Sequence, residues 1–154
     1  MRWTYIFKII GILLVFLGLS NLLPVIVALI YHETVTPFAW SAGITLAASL
    51  TLLFLSRKLS EDEFINQKEG MTAVALAWAS IVFFGALPFY FSPGFTGLTD
   101  AFFESVSGFS TTGSSIMTNI EGASLSLLFW RSLIQWMGGM GIIVLSLAVL
   151  PFLG

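Results

Sequence analysis

The chain has 154 residues, 57% of them hydrophobic and only 9% charged, with a net charge of −2 and a mean hydropathy of +0.98. A water-facing domain carries about a quarter charged residues, so this composition places the chain in a bilayer. The absence of cysteine excludes a disulfide framework, a thiolate metal site and a cysteine nucleophile, the single histidine (His32) excludes a two-histidine metal or haem site within the chain, and the lack of a basic run argues against nucleic-acid binding.

The first apolar segment covers residues 3–31 and is interrupted by Ser20, Asn21 and Pro24. Arg2 and Lys8 flank a run from Ile9 to Ile30, longer than the roughly 7–15 residues of a signal-peptide core and without a small-residue cleavage site. It reads as a retained transmembrane helix, bent near its far end because Pro24 cannot donate a backbone hydrogen bond. The second segment, 37–55, begins with Pro37, which suits a first helical turn. The third covers 71–91 and the fourth 125–150. Each meets the requirement of about 20 residues to cross the hydrocarbon core. With four spans, the N-terminus, the polar stretch RKLSEDEFINQKEG after the second span and the C-terminus share one side. That side holds five of the six basic residues, with Arg131 inside the fourth span, so the positive-inside rule makes it the cytoplasm.

The outer connections differ in length. Residues 32–36 join the first two spans, whereas about 92–124 join the last two. Within the longer one lies the apolar patch LTDAFFESVSGF, Leu98 to Phe109, which as a helix reaches only about 18 Å and cannot cross. Thr99 or Asp100 is predicted to cap its start, Asp100 and Glu104 suit its N-terminal end, and Gly108 with the serine/threonine run beyond it is predicted to end it. A half-length helix over about 99–109, followed by the polar return Ser110-Thr111-Thr112-Gly113-Ser114-Ser115, has the form of a re-entrant pore loop. Such backbone survives at membrane depth only where protein buries it or water reaches it. A cation leaving water needs its hydration shell replaced by oxygens, which an extended backbone supplies as carbonyls. Glycine allows the carbonyls to turn, hydroxyls add or hold oxygens, and the negative end of the preceding helix favours a cation.

The stretches FFESVSGFSTTGSS and WRSLIQWMGGMGIIVLSLAVLP resemble the first pore-loop repeat of the Trk/Ktr/HKT superfamily of potassium transporters, and within it the TrkH-type membrane subunits. The resemblance implies an all-α integral membrane fold of four transmembrane helices plus a re-entrant pore helix and filter loop between the third and fourth. Residues 1–58 would then be two additional N-terminal helices, 59–70 a cytoplasmic loop, and 71–154 the first helix–pore-loop–helix repeat, with its filter at 110–115. It further implies that the backbone carbonyls of Thr111, Thr112, Gly113 and Ser114 coordinate potassium as the transported ion, Thr111 and Thr112 foremost, with no other cofactor. A single glycine per repeat is the expected filter pattern, in contrast to TVGYG. The family assembles four repeats around one pore and the sequence holds one, so the chain reads as an N-terminal piece of a longer polypeptide, or else as a short subunit that builds a pore from several copies. The implied setting is the bacterial inner membrane with the N-terminus cytoplasmic, and the implied partners are a second copy in a homodimer and a cytosolic ring of nucleotide-binding regulatory subunits.

Several residues have two readings. Arg131 is either an interfacial anchor that snorkels outward or a partner of Glu104 or of carbonyls behind the filter; pairing is favoured because unpaired charges inside membranes are rare. Glu33, Asp100, Glu104 and Glu121 either concentrate cations at a pore mouth or are ordinary loop charge. Gly138, Gly139 and Gly141 either let helices approach closely or form a hinge, with packing favoured. His32 reads as a solvated loop residue, and the five tryptophans as packing and interface residues. Three rival functions remain to be weighed. A serine hydrolase built on Ser107, Ser110, Ser114 or Ser115 lacks a nearby base. A proton-coupled carrier needs an acidic residue or histidine within a span, and none is present. A small membrane assembly or regulatory subunit without its own pore is the remaining alternative.

Overall fold

The computed structural model describes residues 3–57 and 67–149. Arg2, Lys58, most of the 59–70 loop and the last five residues, on which much of the predicted orientation rests, lie outside the described residues. Among the described residues the chain is helical, without strands: α1 (Trp3–Ser20), α2 (Leu22–Ile30), α3 (Thr36–Leu55), α4 (Gln67–Gly85), α5 (Leu87–Phe91), α6 (Leu98–Phe109) and α7 (Leu125–Val149). Among the described residues three stretches are long and apolar enough to cross a membrane: Trp3–Ile30 (α1 with α2), Thr36–Leu55 (α3) and Lys68–Phe91 (α4 with α5). The fourth predicted segment forms one unbroken 25-residue helix, α7.

Proline accounts for the division of two spans. The first is interrupted at Asn21, just ahead of Pro24, and the third at Ala86, just ahead of Pro88. In each, the proline ring crowds the carbonyl four residues earlier and donates no hydrogen bond to it. Side chains stitch the first break: Asn21 Nδ2 donates to Leu17 O at 2.9 Å and Ser20 Oγ to Phe16 O at 2.8 Å.

α1 and α3 run antiparallel in close contact, because small residues line the seam. A side chain at Gly11 or Gly18 would press into Leu53 or Leu46, and Ser49 Oγ crosses the interface to donate to Gly11 O at 2.8 Å. α1 also packs on α4, α3 on α5, and α6 on α7, α4 and α5. Ile6, Ile10, Leu14 and Leu17 of α1, Phe38, Phe89, Trp130 and Ile134 form the buried core. Trp130 keeps its indole N–H satisfied by donating to Gly85 O at 3.2 Å. Many large apolar side chains, among them Phe16, Leu29, Leu50 and Phe54, point outward, an arrangement suited to a hydrocarbon solvent and not to water.

The glycines of α7 differ from one another. A Cβ on Gly138 would collide with the backbone of Phe109, at the end of α6. A Cβ on Gly139 would meet only the Thr111 methyl at 3.7 Å, and one on Gly141 the Trp78 ring at 3.4 Å. Gly138 thus brings α7 against the α6 backbone, which is the packing reading. Gly138→Ala is expected to destabilise the protein by about 1–3 kcal/mol through overpacking, while Gly139→Ala leaves stability near wild type. Thermal melting of both variants of the full-length protein in detergent checks this.

Candidate functional site

α6 and the loop after it form the site. The helix begins at Gly97, whose extended backbone precedes the first turn. The predicted caps Thr99 and Asp100 lie inside the helix. Asp100 instead accepts a hydrogen bond from the Thr96 hydroxyl one turn back. Gly108 does not end the helix either: it is buried within it, where a side chain would strike Ile134. The chain stops through a left-handed residue. Thr111 has φ +59, and the N–H groups of Thr111 and Thr112 donate back to Gly108 O at 2.9 Å and Ser107 O at 3.1 Å. This is a Schellman closure, whose left-handed position usually holds glycine. A β-branched threonine there costs about 1–2 kcal/mol, a strain of the kind that persists where surrounding structure enforces it. Gly113 follows with φ +77, a conformation glycine takes freely.

Behind the loop sits a buried ion pair. The Glu104 carboxylate is fully buried, and its Oε1 accepts from Arg131 Nε at 2.6 Å. Its Oε2 accepts from Ser115 Oγ at 3.1 Å and from Ile116 N at 3.3 Å. Arg131 Nη2 reaches past the carboxylate to donate to Gly113 O at 2.9 Å. One arginine therefore links the short helix, the loop and α7, and the interfacial-anchor reading of Arg131 gives way to pairing. Ser107 Oγ donates to Ser114 O at 2.5 Å, and the hydroxyls of Ser110 and Thr112 pair at 2.8 Å.

The four residues singled out in the sequence are brought together on one exposed loop but differ in their oxygens. The Gly113 and Ser114 carbonyls accept hydrogen bonds from Arg131 and Ser107. The Thr111 and Thr112 carbonyls accept none among the described residues. Gln135, one helical turn beyond Arg131, also lies beside the loop: its Nε2 would be 3.4 Å from a Cβ on Gly113. Ser107 and Ser115 were singled out in the sequence only as hydrolase candidates or as part of the polar return, and Gln135, within the fourth span, carried no signal there.

Glu33 also departs from its sequence reading as outer loop charge. Its carboxylate spans to the start of α7, accepting from Leu125 N at 2.7 Å, Ser126 N at 2.9 Å and Ser126 Oγ at 2.6 Å. The next two amide groups, Leu127 N and Leu128 N, donate to Ser124 O. Three amides that the first turn leaves without a regular intrahelical partner, those of Leu125, Ser126 and Leu127, are thereby satisfied, two of them by a residue some ninety positions earlier. Although burial pushes the Glu33 carboxyl up, the hydrogen bonds from Ser126 and Leu125 more than offset it and hold the group below its ordinary value.

Comparison with known proteins shows the family. A family model described as TrkH, cation transport protein, matches residues 37–154. The chain belongs to this cation transport family. It is 40% identical over 157 residues to the Trk system potassium uptake protein TrkH of Escherichia coli, covering 100% of this chain and 32% of that one. It is 35% identical to the protein of the same name from Vibrio parahaemolyticus, again over 100% and 32% of the two chains. It is 36% identical to the Trk system potassium uptake protein TrkI of Halomonas elongata, over 99% of this chain and 31% of that one. The chain thus spans about a third of the length of these relatives.

The Glu33 contacts carry a pH dependence of definite sign. Because the folded carboxyl is held below its ordinary value of 4.5, the unfolded chain binds the proton more readily and stability rises with pH. The contribution is full above that ordinary value and is lost as pH falls through the lower folded value. Melting temperatures of wild type and Glu33→Gln should therefore differ by a constant amount at neutral pH and converge in acid.

Proposed function

We propose that the loop 110–115 is one quarter of a potassium filter, and that the chain is part of a longer potassium uptake channel. In this reading α6 is the pore helix, entering from the outer side and returning through the loop, and α7 is the fourth span. The Thr111 and Thr112 carbonyls are the principal ligands for a dehydrated potassium ion. The Gly113 and Ser114 carbonyls contribute through their second lone pairs while their hydrogen bonds fix the loop's shape. Glu104 and Arg131 support the filter from behind. The observation that carries the reading is the division among the four carbonyls: two are tethered, while the two on strained, exposed Thr111 and its neighbour accept no hydrogen bond among the described residues. A cation filter needs backbone oxygens free of protein donors yet held in place. The potassium uptake named for the relatives supports the choice of ion.

The protein's part is coordination and shape, with no covalent chemistry. The carbonyl end of α6 adds a partial negative charge near the ion. Helix–loop–helix units elsewhere in the longer polypeptide would complete the ring of oxygens. An inner-membrane location with a cytoplasmic N-terminus, homodimerisation and a cytosolic nucleotide-binding regulatory subunit belong to the same proposal and rest on family resemblance.

Gly113→Ser tests the filter. A side chain at φ +77 costs about 1–2 kcal/mol, equivalent to about a five- to thirtyfold change in an equilibrium, and its Cβ would touch the Gln135 amide at 3.4 Å. The full-length variant in liposomes should lose potassium-over-sodium preference or potassium flux by about that factor. Unchanged transport and selectivity would overturn the filter assignment.

A further inference from the structure

Glu33 lies in the turn between α2 and α3, remote in sequence from the loop, yet it holds the end of the helix that reaches the loop. The turn is shaped to deliver it. His32 adopts φ +55, and the N–H groups of His32 and Glu33 donate to Leu29 O at 3.4 Å and Ala28 O at 2.8 Å. This is a second Schellman closure, again without glycine at the left-handed position. It places Glu33 immediately after the turn, where its carboxylate takes Leu125 N, Ser126 N and Ser126 Oγ. α2 packs along α7 below this point.

Five residues on from Ser126, the same helix presents Arg131 to Glu104 and to the Gly113 carbonyl. α7 is therefore fixed at its start by Glu33 and further along by Gly138 against the Phe109 backbone. Arg131 lies between the two fixed points. A helix transmits a shift or rotation of its first turn to residues a turn or two later, because its hydrogen-bonded backbone is stiff. The Ser124 carbonyl already serves Leu127 N and Leu128 N, so without Glu33 only the Ser124 hydroxyl, 3.5 Å from Ser126 Oγ, stands near as a protein acceptor. The Leu125 and Ser126 amides would be left to find other acceptors, and α7 would be free to settle differently.

We infer that Glu33 is a positioning residue for ion selection: by clamping the start of α7 it sets where Arg131 holds the Gly113 carbonyl, and so couples the N-terminal helices α1–α3 to the geometry of the loop. The inference rests on the reading of residues 110–115 as a filter. It gives the N-terminal helices a role in selectivity rather than in anchoring alone. It also separates Glu33 from Glu121, an exposed acidic residue in the 110–124 connection, which by simple attraction of cations would do what Glu33 does.

The test uses the full-length protein in liposomes, with the potassium-to-sodium permeability ratio and the melting temperature read together for Glu33→Ala, Glu33→Gln, Glu33→Asp, Glu121→Gln and Gly113→Ser. Mutations that act through a coupled element typically change a preference by about two- to thirtyfold. Glu33→Ala should lower the ratio by about threefold or more. Glu33→Gln, which keeps an acceptor but loses the charge, should fall between Glu33→Ala and wild type, and Glu33→Asp should recover part of the loss. Glu121→Gln should leave the ratio unchanged. A folded Glu33→Ala whose ratio stays within about twofold of wild type, while Gly113→Ser loses selectivity, overturns the inference and leaves the filter reading standing. If Glu33→Ala does not fold, Glu33→Gln is judged by the same criterion. Equal effects of Glu33→Gln and Glu121→Gln would assign the effect to surface charge and overturn the inference. An unaffected Gly113→Ser overturns the filter reading and this inference with it.

Discussion

A carboxylate with no exposed surface, the one charged side chain fully buried among the described residues, must have its charge matched and its lone pairs filled. Glu104 meets both demands, and the rest of the site follows from how it does so. Arg131 matches the charge at Oε1, and Ser115 and Ile116 donate to Oε2. With Glu104 itself on the short helix, those partners bring in two further elements, the returning loop and α7. Satisfying one buried group therefore fixes three elements relative to one another. The arginine has donors left over, and one of them holds the Gly113 carbonyl. Lysine, a compact point charge, could not hold the carboxylate and the carbonyl with one planar group.

The same economy appears at the helix ends. Both left-handed closures lack glycine, with His32 ending α2 and Thr111 ending α6. Histidine is among the residues that tolerate this region, but a β-branched threonine is an outlier. At Thr111 the chain turns into an exposed loop where the Thr111 and Thr112 carbonyls accept no hydrogen bond among the described residues, and at His32 the turn aims Glu33 at α7. In each, the local cost sits where the chain must change direction abruptly to place a polar group.

Much of this was legible in the sequence. Apolar runs of span length, separated by short polar turns, gave the helices, because in lipid a backbone has few alternatives to the helix. The short segment 98–109 stood out by length alone, and Glu104 and Arg131 by the rarity of charge in such surroundings. The helix breaks were half legible. Pro24 announced the bend in the first span, and Pro88 carries the same signal in the third. Long-range contacts were hidden. Nothing near Glu33 in the sequence marks Leu125 and Ser126 as its partners, since a helix N-terminus offers its amides to any acceptor that folding brings within reach. The local cap rules pointed to Thr99 and Asp100 because those residue types cap helices often, yet extended Gly97 starts the helix and Asp100 pairs with Thr96. Gly108 was misread as a terminator for a similar reason: its role is space for Ile134 and not backbone freedom.

The account's central claim is that the Thr111 and Thr112 carbonyls bind the transported ion while Gly113 stays tied to Arg131. The most direct measurement is a crystal structure of the full-length protein soaked with rubidium or thallium, whose anomalous scattering locates the ion independently of the protein. A peak is expected within coordination distance of the Thr111 and Thr112 carbonyl oxygens, with the Arg131–Gly113 hydrogen bond intact beside it. An ion peak elsewhere on the permeation path, with none at these two carbonyls, would contradict it.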